Sequence, residues 1–379
     1  MKTIIPLSVP NISGNEWKYI QDCLDTGWVS SAGSYVGRFE QSIASFTGAA
    51  HGIACVNGTA ALHLALQLAG VKRGDYVLVP NITFVASCNS IHYTGADPLL
   101  VDIDPDTWQM DLTLLESFLE SKTYQEEGLT YHTDDQRCIR AIMPVHVLGN
   151  MCDMDKLQEL ARTYNLIIVE DSTEALGSTY RGQHAGTFGM FGTFSFNGNK
   201  IITTGGGGMI VTQDEALAKH AKHLTTQAKT SPSEYIHDEV GYNYRLVNLL
   251  AAMGVAQMEL LPGFLERKKE IDRRYREALE PEHYIFQKIT PHVTPNHWLQ
   301  TMKVKDQQAM IRHLNDHGIE CRPFWVPMNE LQMYQHVPYV THQHVAQEVY
   351  RHCISIPSST NLTDEQVTKV IDVIRSFRD

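Results

Sequence analysis

The sequence predicts an α/β protein with a mostly parallel central sheet and flanking helices. Three observations support this fold class. Short β-branched runs alternate with helical stretches between about residues 50 and 212. Most of these runs are almost continuously apolar, which is typical of strands buried on both faces of a parallel sheet. Helical segments separate them, as crossover connections require.

The elements follow one another in a regular order. Strands are predicted from the apolar runs at 51–56, 76–80, 98–103, 139–147 and 166–170. Helices are predicted at 59–70, where an apolar stripe ends at a glycine, and near 84–94, 111–121 and 153–164. The polar stretches at 121–136 and 228–238 are predicted to be exposed loops.

The pattern changes after about residue 250 and predicts a second unit. An apolar helix ("LLAAMGVAQMELL") is followed by a charged helix over 266–280, by short strands broken by prolines, and by a last helix. Thr363 and Gln366 fit a capping box at the start of that helix. We therefore predict a large α/β domain over residues 1–250, including an N-terminal arm, and a small C-terminal α+β domain over residues 251–379.

Composition narrows the classes of function. The chain has 379 residues, 43% of them hydrophobic and 20% charged, as in a globular protein. Its net charge of -12 argues against nucleic-acid binding, which needs clustered Lys and Arg. We see no signal sequence and no apolar run long enough to span a membrane, and the seven cysteines form no CxxC pair. We therefore expect a cytoplasmic protein with reduced cysteines, no membrane partner and no metal site.

Four polar features follow predicted strands, where ligands bind in open parallel sheets. Gly58 and Thr59 begin a helix, whose free N–H groups can bind an anion, although Asn57 or Thr59 can also be a plain N-cap. Asp171 ends a buried strand and suits a cationic ligand nitrogen or a helix cap. Ser195 can bind phosphate or complete a turn. Lys200, before four glycines, is a surface lysine or an amine for a carbonyl.

One ligand satisfies all four features. Pyridoxal 5′-phosphate has a phosphate, a protonatable ring nitrogen and an aldehyde, and a Schiff-base lysine with an acidic partner at the ring nitrogen is its recurring protein site. Competing phosphate sites lack their motifs, because no GxxxxGK[ST] occurs and "GTFGMFG" does not have the GxGxxG order. We therefore predict a pyridoxal-phosphate site with Lys200 as the Schiff-base lysine.

Seven ordered motifs carry a family resemblance that covers almost the whole chain. They are "TGWVSSAGSYVGRFE" (26–40), "NGTAALHLAL" (57–66), "PNITFVASCNSI" (80–91), "PVHVLGN" (144–150), "VEDSTEALGS" (169–178), "FSFNGNKIITTGGGGMIVT" (194–212) and "GYNYRLVNLLAAMGVAQ" (241–257). With these motifs the sequence resembles the DegT/DnrJ/EryC1/StrS-type sugar aminotransferases, which are fold-type-I pyridoxal-phosphate enzymes.

The resemblance implies a role for each matching residue. Lys200 is expected to bind the cofactor aldehyde and to move the proton at the substrate carbon, and Asp171 to keep the ring nitrogen protonated. The remaining cofactor contacts are a stacking ring from Phe84, phosphate contacts from Gly58, Thr59 and Ser195, and a phosphate contact from Asn243 into the neighbouring subunit's site. A homodimer with shared active sites is therefore implied.

Other positions are less closely defined. The resemblance implies a place near the cofactor's phenolic oxygen for Glu174, where many members of the family carry Gln or His. Substrate contacts are implied for Trp28, Ser30, His146 and Arg245. His146 can instead be a strand-end histidine with its own partner, and Arg245 can either clamp a substrate anion or pair with an acid at the dimer seam. Phe84 can also be an ordinary core residue.

The resemblance implies transfer of an amine from L-glutamate to C4 of a nucleotide-linked 4-keto-6-deoxy sugar. "EDxxEALGS" and "GNKxITTGGGGM" resemble the perosamine-synthase and legionaminic-pathway branches. "HLTTQAKTSPSEYIHDEVGYNYR" and "RPFWVPMN" favour the second, whose substrate is UDP-2-acetamido-2,6-dideoxy-4-keto-hexose, used for surface glycans or nonulosonic acids. A GDP-perosamine-synthase-like enzyme is the alternative.

Two further alternatives fit the sequence less well. Sugar dehydratases of this type replace the lysine by histidine, and Lys200 argues against them. A regulatory sugar sensor that binds pyridoxal phosphate would normally carry a DNA-binding segment, and neither terminus offers a basic helix-turn-helix stretch.

Overall fold

The computed structural model describes residues 4–231 and 233–378. The helices are α1 (Glu16–Thr26), α2 (Ser34–Thr47), α3 (Gly58–Leu68), α4 (Ala86–Tyr93), α5 (Leu112–Lys122), α6 (Met154–Thr163), α7 (Glu215–Thr225), α8 (Asn248–Leu279), α9 (Gln307–Asp316), α10 (Val345–His352) and α11 (Asp364–Ser376). The strands are β1 (His51–Cys55), β2 (Tyr76–Pro80), β3 (Asp97–Val101), β4 (Thr123–Glu126), β5 (Leu129–His132), β6 (Cys138–Ile142), β7 (Ile167–Asp171), β8 (Thr179–Tyr180), β9 (Gln183–His184), β10 (Phe191–Ser195), β11 (Gly208–Thr212), β12 (Ile285–Phe286), β13 (Val293–Thr294), β14 (Gln300–Lys303), β15 (Arg322–Pro323), β16 (Tyr339–Val340) and β17 (Cys353–Ile356).

A mostly parallel sheet forms the centre of the molecule, as predicted. Its main path runs β1-β11-β10-β7-β6-β2-β3-β16, and every neighbouring pair from β10 to β16 is parallel. Only β11 runs against its neighbours on this path. Each strand predicted before residue 171 is present, although β6 ends at Ile142 and not at 147. The α/β fold class is therefore confirmed.

The predicted crossover helices are also present, and local capping explains where they begin. The side chains of Asn57, Asp111 and Asp153 accept backbone N–H groups in the first turns of α3, α5 and α6. Such caps satisfy N–H groups that have no partner inside the helix. The helix boundaries were therefore readable from the sequence to within a few residues.

The stretch 121–136 is mostly exposed, as predicted, but it is not an irregular loop. This stretch forms an antiparallel hairpin of β4 and β5, turned at Glu127 and Gly128, which both have positive φ. Thr130 and Tyr131 of β5 then pair with β6. Tertiary pairing at the start of β6 thus orders a polar segment that has no hydrophobic run of its own. The described residues of 228–238, by contrast, contain no regular helix or strand and form a loop, as predicted.

The two helices predicted after residue 250 are one. α8 is 32 residues long and continues through Pro262. Within the described chain, Asn248–Glu282 is apolar and long enough to cross a membrane by length and composition alone, but half of its most apolar window is buried in the protein, as in a core helix. Ala251, Ala252 and Val255 share a hydrophobic cluster with Phe39 of α2.

A second, antiparallel sheet lies in the C-terminal part, with the strand order β12-β14-β17-β15. It shares a hydrophobic cluster with α9, α11 and the second half of α8. The predicted capping box of Thr363 and Gln366 is present at α11. However, β16 pairs with β3 of the central sheet, and Met328 and Tyr334 belong to the large core. The division after residue 250 falls inside α8 and stays a prediction.

Candidate active site

A cavity of about 710 Å³ lies beyond the carboxyl ends of the parallel strands, against the C-terminal part. Its wall includes residues from the start of α3, the ends of β7 and β10, the loop before α4, and β15. The structure brings these sequence-predicted residues together in it: Gly58, Thr59, Phe84, Asp171, Glu174, Ser195 and Lys200. They come from segments up to 142 positions apart, from Gly58 to Lys200, and the fold makes them neighbours.

One end of the cavity has the chemistry of an anion site. Asn57 caps α3 by accepting the N–H of Ala60 at 2.7 Å, so the helix begins at Gly58. A Cβ on Gly58 would lie 2.8 Å from Cβ of Ser195, so only glycine permits this approach. Among the described residues, the hydroxyls of Thr59 and Ser195 have no hydrogen-bond partner. Free donors at a helix N-terminus suit a phosphate.

Asp171 is fixed at the end of β7. Its side chain is 3% exposed. One oxygen accepts the hydroxyl of Ser87 at 2.7 Å, and the other accepts the hydroxyl of Thr173 at 2.7 Å and its N–H at 3.2 Å. A carboxylate held by two hydroxyls cannot turn away from the cavity. It can therefore receive a hydrogen bond from a cationic ring nitrogen.

Glu170, the preceding residue, anchors the same strand end. Its buried carboxylate accepts the backbone N–H groups of Gly186, Phe188 and Gly189. It also contacts Nε2 of His146 at 2.9 Å. The backbone N–H of His146 in turn donates to the carbonyl of Asp171. His146 is thus a fully buried partner of Glu170, outside the cavity wall.

Lys200 and Glu174 face each other. Nζ of Lys200 lies 3.8 Å from Oε1 of Glu174 and 4.1 Å from the ring centroid of Trp298. Burial lowers the pKa of Lys200, partly opposed by the charges of Glu174 and Asp171. Burial raises the pKa of Glu174 to about 7, and the charge of Lys200 opposes this rise. Near neutral pH the amine therefore loses its proton more readily than an exposed lysine does.

The residues of this cavity fit pyridoxal phosphate. The start of α3 offers a cradle that a Cβ at position 58 would fill, Asp171 an ordered carboxylate, and Lys200 a buried amine. The ring of Phe84 is 56% exposed on the wall, so it is available to stack on a ligand. The alternative hypothesis, that Phe84 is an ordinary core residue, is wrong.

The structure does not bring the remaining predicted residues into the cavity of their own chain. Trp28 is 59% exposed, and Ser30 and Asn243 are also exposed on other surfaces. The side chain of Arg245 is 8% exposed, and its guanidinium pairs with Glu40 of the same chain. Each of these two side chains is held by a buried acid of its own chain and lies outside the cavity wall, so a substrate contact by His146 or by Arg245 stays a prediction.

Sequence reasoning missed part of the wall. Ser87 and Thr173, which hold Asp171, lie inside two of the quoted motifs but look like ordinary helix and turn residues. Trp298, Arg322 and Trp325 also line the cavity. Nothing near Trp298 in the sequence marks it. Its carbonyl accepts Nζ of the buried Lys268 at 2.6 Å, and burial lowers the pKa of Lys268 to about 7.

A group of possible metal ligands lies elsewhere, at His223, Asp238 and Glu239, whose ligand atoms are within 4.8 Å of one another. His223 contacts Asp238 at 2.6 Å, and Glu239 contacts the neighbouring His220 at 2.9 Å. These side chains thus form contacts between the loop and α7.

Comparison with known proteins agrees with this geometry. The family model of the DegT/DnrJ/EryC1/StrS aminotransferase family matches residues 10–375. The GDP-perosamine synthases of Escherichia coli O157:H7 and Caulobacter vibrioides are 39% and 38% identical, covering 98% and 97% of this chain and 98% and 96% of theirs. The pyridoxal-phosphate form of a Streptococcus pneumoniae protein superposes with a TM-score of 0.88 and 28% identity, over 99% of this chain and 98% of that one.

Proposed function

Because the chain belongs to the DegT/DnrJ/EryC1/StrS aminotransferase family and is thus a pyridoxal-phosphate-dependent sugar aminotransferase, we propose that its cavity transfers an amine from L-glutamate to C4 of a nucleotide-linked 4-keto-6-deoxy sugar. One observation carries the proposal. A buried amine, an ordered carboxylate and a helix N-terminus with free hydroxyls face one cavity, and their chemistry suits the cofactor's aldehyde, ring nitrogen and phosphate.

Each residue then has a role. Bound pyridoxal phosphate supplies an electron sink for the bonds at the substrate carbon. Lys200 holds the cofactor through its amine and moves the proton at that carbon, since its lowered pKa favours the neutral base. Asp171 keeps the ring nitrogen protonated. The phosphate is held by Gly58, Thr59 and Ser195, and Phe84 covers one face of the ring.

Glu174 contributes a second proton acceptor next to Lys200. Its Oε2 is fixed by the N–H of Leu148 at 2.9 Å, while Oε1 faces the amine. With a pKa raised to about 7, this carboxyl can hold or release a proton near neutral pH. We propose that Glu174 exchanges a proton with the amine or with the cofactor's phenolic oxygen.

The identity of the sugar nucleotide has two candidates. The segments 223–245 and 322–329 favour UDP-2-acetamido-2,6-dideoxy-4-keto-hexose, which we propose as the acceptor. The second candidate is the keto precursor of GDP-perosamine, favoured by the names of the two relatives that are 38% and 39% identical. Both carry the ketone at C4, so the reaction is the same for either.

We also propose that the working unit is a homodimer. Asn243, Trp28 and Ser30 are exposed and outside their own cavity, where a partner subunit could use them. Tyr235 and Val240, in the loop before Asn243, are 91% and 82% exposed, which is unusual for large apolar side chains.

We propose a cytoplasmic location for the protein. The cysteines of the described chain are all free, which fits this location.

Borohydride reduction of the purified protein followed by peptide mapping tests the site. We expect a pyridoxyl group on Lys200, and no label in Lys200→Ala, whereas the exposed Lys219→Ala control keeps it. A label on another lysine would overturn the assignment. Amine transfer from L-glutamate is then measured with both candidate keto-sugars by mass spectrometry. If Lys200 is labelled but neither keto-sugar is converted to product, the proposed substrate class is wrong and the cofactor site stands.

A further inference from the structure

The cavity wall contains a second cation that the cofactor does not need. Arg322 lies in β15 and pairs with Ser355 of β17, and both residues line the cavity. Its side chain is exposed. Within residues 4–231 and 233–378, its guanidinium has neither an ion-pair nor a hydrogen-bond partner. Arginine side chains that line a cavity without a protein partner are available to bind an anion.

The other charged groups of the cavity already have partners in the protein. Lys200 faces Glu174 at 3.8 Å. Asp171 is held by two hydroxyls and faces the ring-nitrogen position. Glu320, on the same wall as Arg322, accepts the N–H of Leu7 at 3.3 Å. Because the single phosphate of the cofactor fits the start of α3, Arg322 remains for an anion that arrives with the substrate.

Packed aromatic side chains follow Arg322 in the sequence. Pro323 follows it with a restricted backbone, and Phe324 is buried. The ring of Trp325 stacks on Phe324 at 4.8 Å and lies 6.4 Å from Trp298. Trp298 in turn carries Nζ of Lys200 over its ring. A row of aromatic rings, from Phe324 through Trp325 to Trp298, therefore leads from the segment that carries Arg322 to the amine of Lys200.

We propose that Arg322 is the substrate-anion subsite of this cavity, which binds a carboxylate or a diphosphate through its planar guanidinium. This proposal rests on the proposed function. Two substrate groups have this chemistry: the carboxylates of the amino donor and the diphosphate of the nucleotide sugar. A guanidinium can bind either through two parallel hydrogen bonds, which lysine cannot reproduce.

Ligand binding to the pyridoxal-phosphate-loaded protein tests the proposal without turnover. Trp298 and Trp325 line the same cavity, so intrinsic tryptophan fluorescence reports occupancy. The probes are UDP and GDP for a diphosphate, and maleate for an unreactive dicarboxylate. We expect Arg322→Gln to lower the affinity for at least one class of probe by about tenfold or more, as the loss of a charged hydrogen bond predicts. Arg322→Lys should retain part of this affinity, because it keeps the positive charge.

If Arg322→Gln weakens the binding of UDP and GDP only, Arg322 binds the diphosphate of the nucleotide sugar. If it weakens the binding of maleate only, Arg322 binds a carboxylate of the amino donor. If it weakens the binding of all three probes, both substrates use the same subsite in turn. Wild-type affinity for all probes in Arg322→Gln overturns the proposal. Arg312→Gln, an exposed arginine of α9 outside the cavity wall, is the matched control. Borohydride labelling of Lys200 is measured on the same samples. A labelled Lys200 with unchanged probe binding rejects the subsite and leaves the proposed function intact.

Discussion

Among single residues, Lys200 and Glu174 each shift the pKa of the other. Burial shifts the pKa of both groups toward their neutral forms, and each charge opposes the shift of the other. The carboxyl, with a pKa raised to about 7, changes its charge near neutral pH. The state of the amine therefore depends on pH through its own ionisation and through that of its neighbour.

Glu174→Gln should make Lys200 more reactive as a nucleophile. The variant removes a carboxylate that raises the pKa of the amine, so this pKa falls further and more of the amine is neutral. In the cofactor-free chain, acetylation of Lys200 by acetic anhydride should be severalfold faster than in the wild type. The acetylation rates of the variant and the wild type should differ above about pH 7, where Glu174 is ionised in the wild type.

Peptide mass spectrometry across pH measures the rates, with the exposed Lys219 as internal reference. Equal rates at pH 8 would show that Glu174 does not act on the amine. Slower labelling in the glutamine variant would mean that the carboxylate promotes loss of the proton, opposite to our interpretation.

At the scale of elements, the junction of β1 and α3 builds the phosphate end of the cavity. Asn57 caps the helix, and Gly58 of α3 and Gly208 of β11 allow close backbone approach. A Cβ on Gly208 of β11 would lie 2.4 Å from the carbonyl oxygen of Asn57, and a Cβ on Gly58 would reach Ser195. Strand and helix can therefore meet only because these two positions have no side chain.

Gly58→Ala should weaken the binding of pyridoxal phosphate without unfolding the protein. The added methyl group would lie 2.8 Å from Cβ of Ser195 and must displace that residue or the helix start. We expect the dissociation constant to rise by about tenfold or more, as for the loss of a charged hydrogen bond. Titration of the cofactor-free chain, followed by absorbance, measures it.

Gly263→Ala is the matched control, because a Cβ there meets nothing within 4 Å and the helix tolerates alanine. Circular dichroism shows whether each variant keeps its fold. Wild-type cofactor affinity in a folded Gly58→Ala protein would remove the start of α3 from the phosphate site.

At the scale of the whole molecule, the cavity of one chain lacks some residues that the family resemblance implies. Asn243 is exposed and pairs through its backbone with Thr226, away from its own cavity. Large apolar side chains such as Trp17 and Tyr235 are 76% and 91% exposed. A second copy of the chain would cover such surfaces and could complete the site.

Mixing two defective chains should restore activity if the sites are shared. A Lys200→Ala chain and an Asn243→Asp chain should each be poorly active alone, the second because a carboxylate repels the phosphate. In the heterodimer one site has both defects, and the other has its own Lys200 and a wild-type Asn243. With free exchange, about a quarter of wild-type activity is expected, since half of the dimers are mixed and half of their sites are intact.

Native mass spectrometry of differently tagged chains must first show that subunits exchange. Turnover of a keto-sugar is then compared before and after mixing. Complete exchange without any recovered activity would contradict the shared site. Full activity of Asn243→Asp by itself would show that this residue does not reach a phosphate.

The fold class, the parallel strands before residue 171 with their crossover helices, and the proposal of Asp171 and Lys200 as the central pair of the site all followed from the sequence. These depend on local features: apolar runs for buried strands, caps such as Asn57 and Thr363 for helix starts, and ordered motifs around Asp171 and Lys200. Each signal lies within a few residues of the element that it predicts. That is why β2 was predicted at its observed bounds, Tyr76–Pro80.

Which side chains meet depends on the packing of the whole chain. His146 and Arg245 have acidic partners 24 and 205 positions away, at Glu170 and Glu40, and these contacts remove them from the cavity. The 123–132 hairpin is ordered by its pairing with β6, and Trp298 and Arg322 reach the wall only because the C-terminal sheet packs against the strand ends. Such contacts depend on distances set by the whole fold, and no pattern of neighbouring residues encodes them.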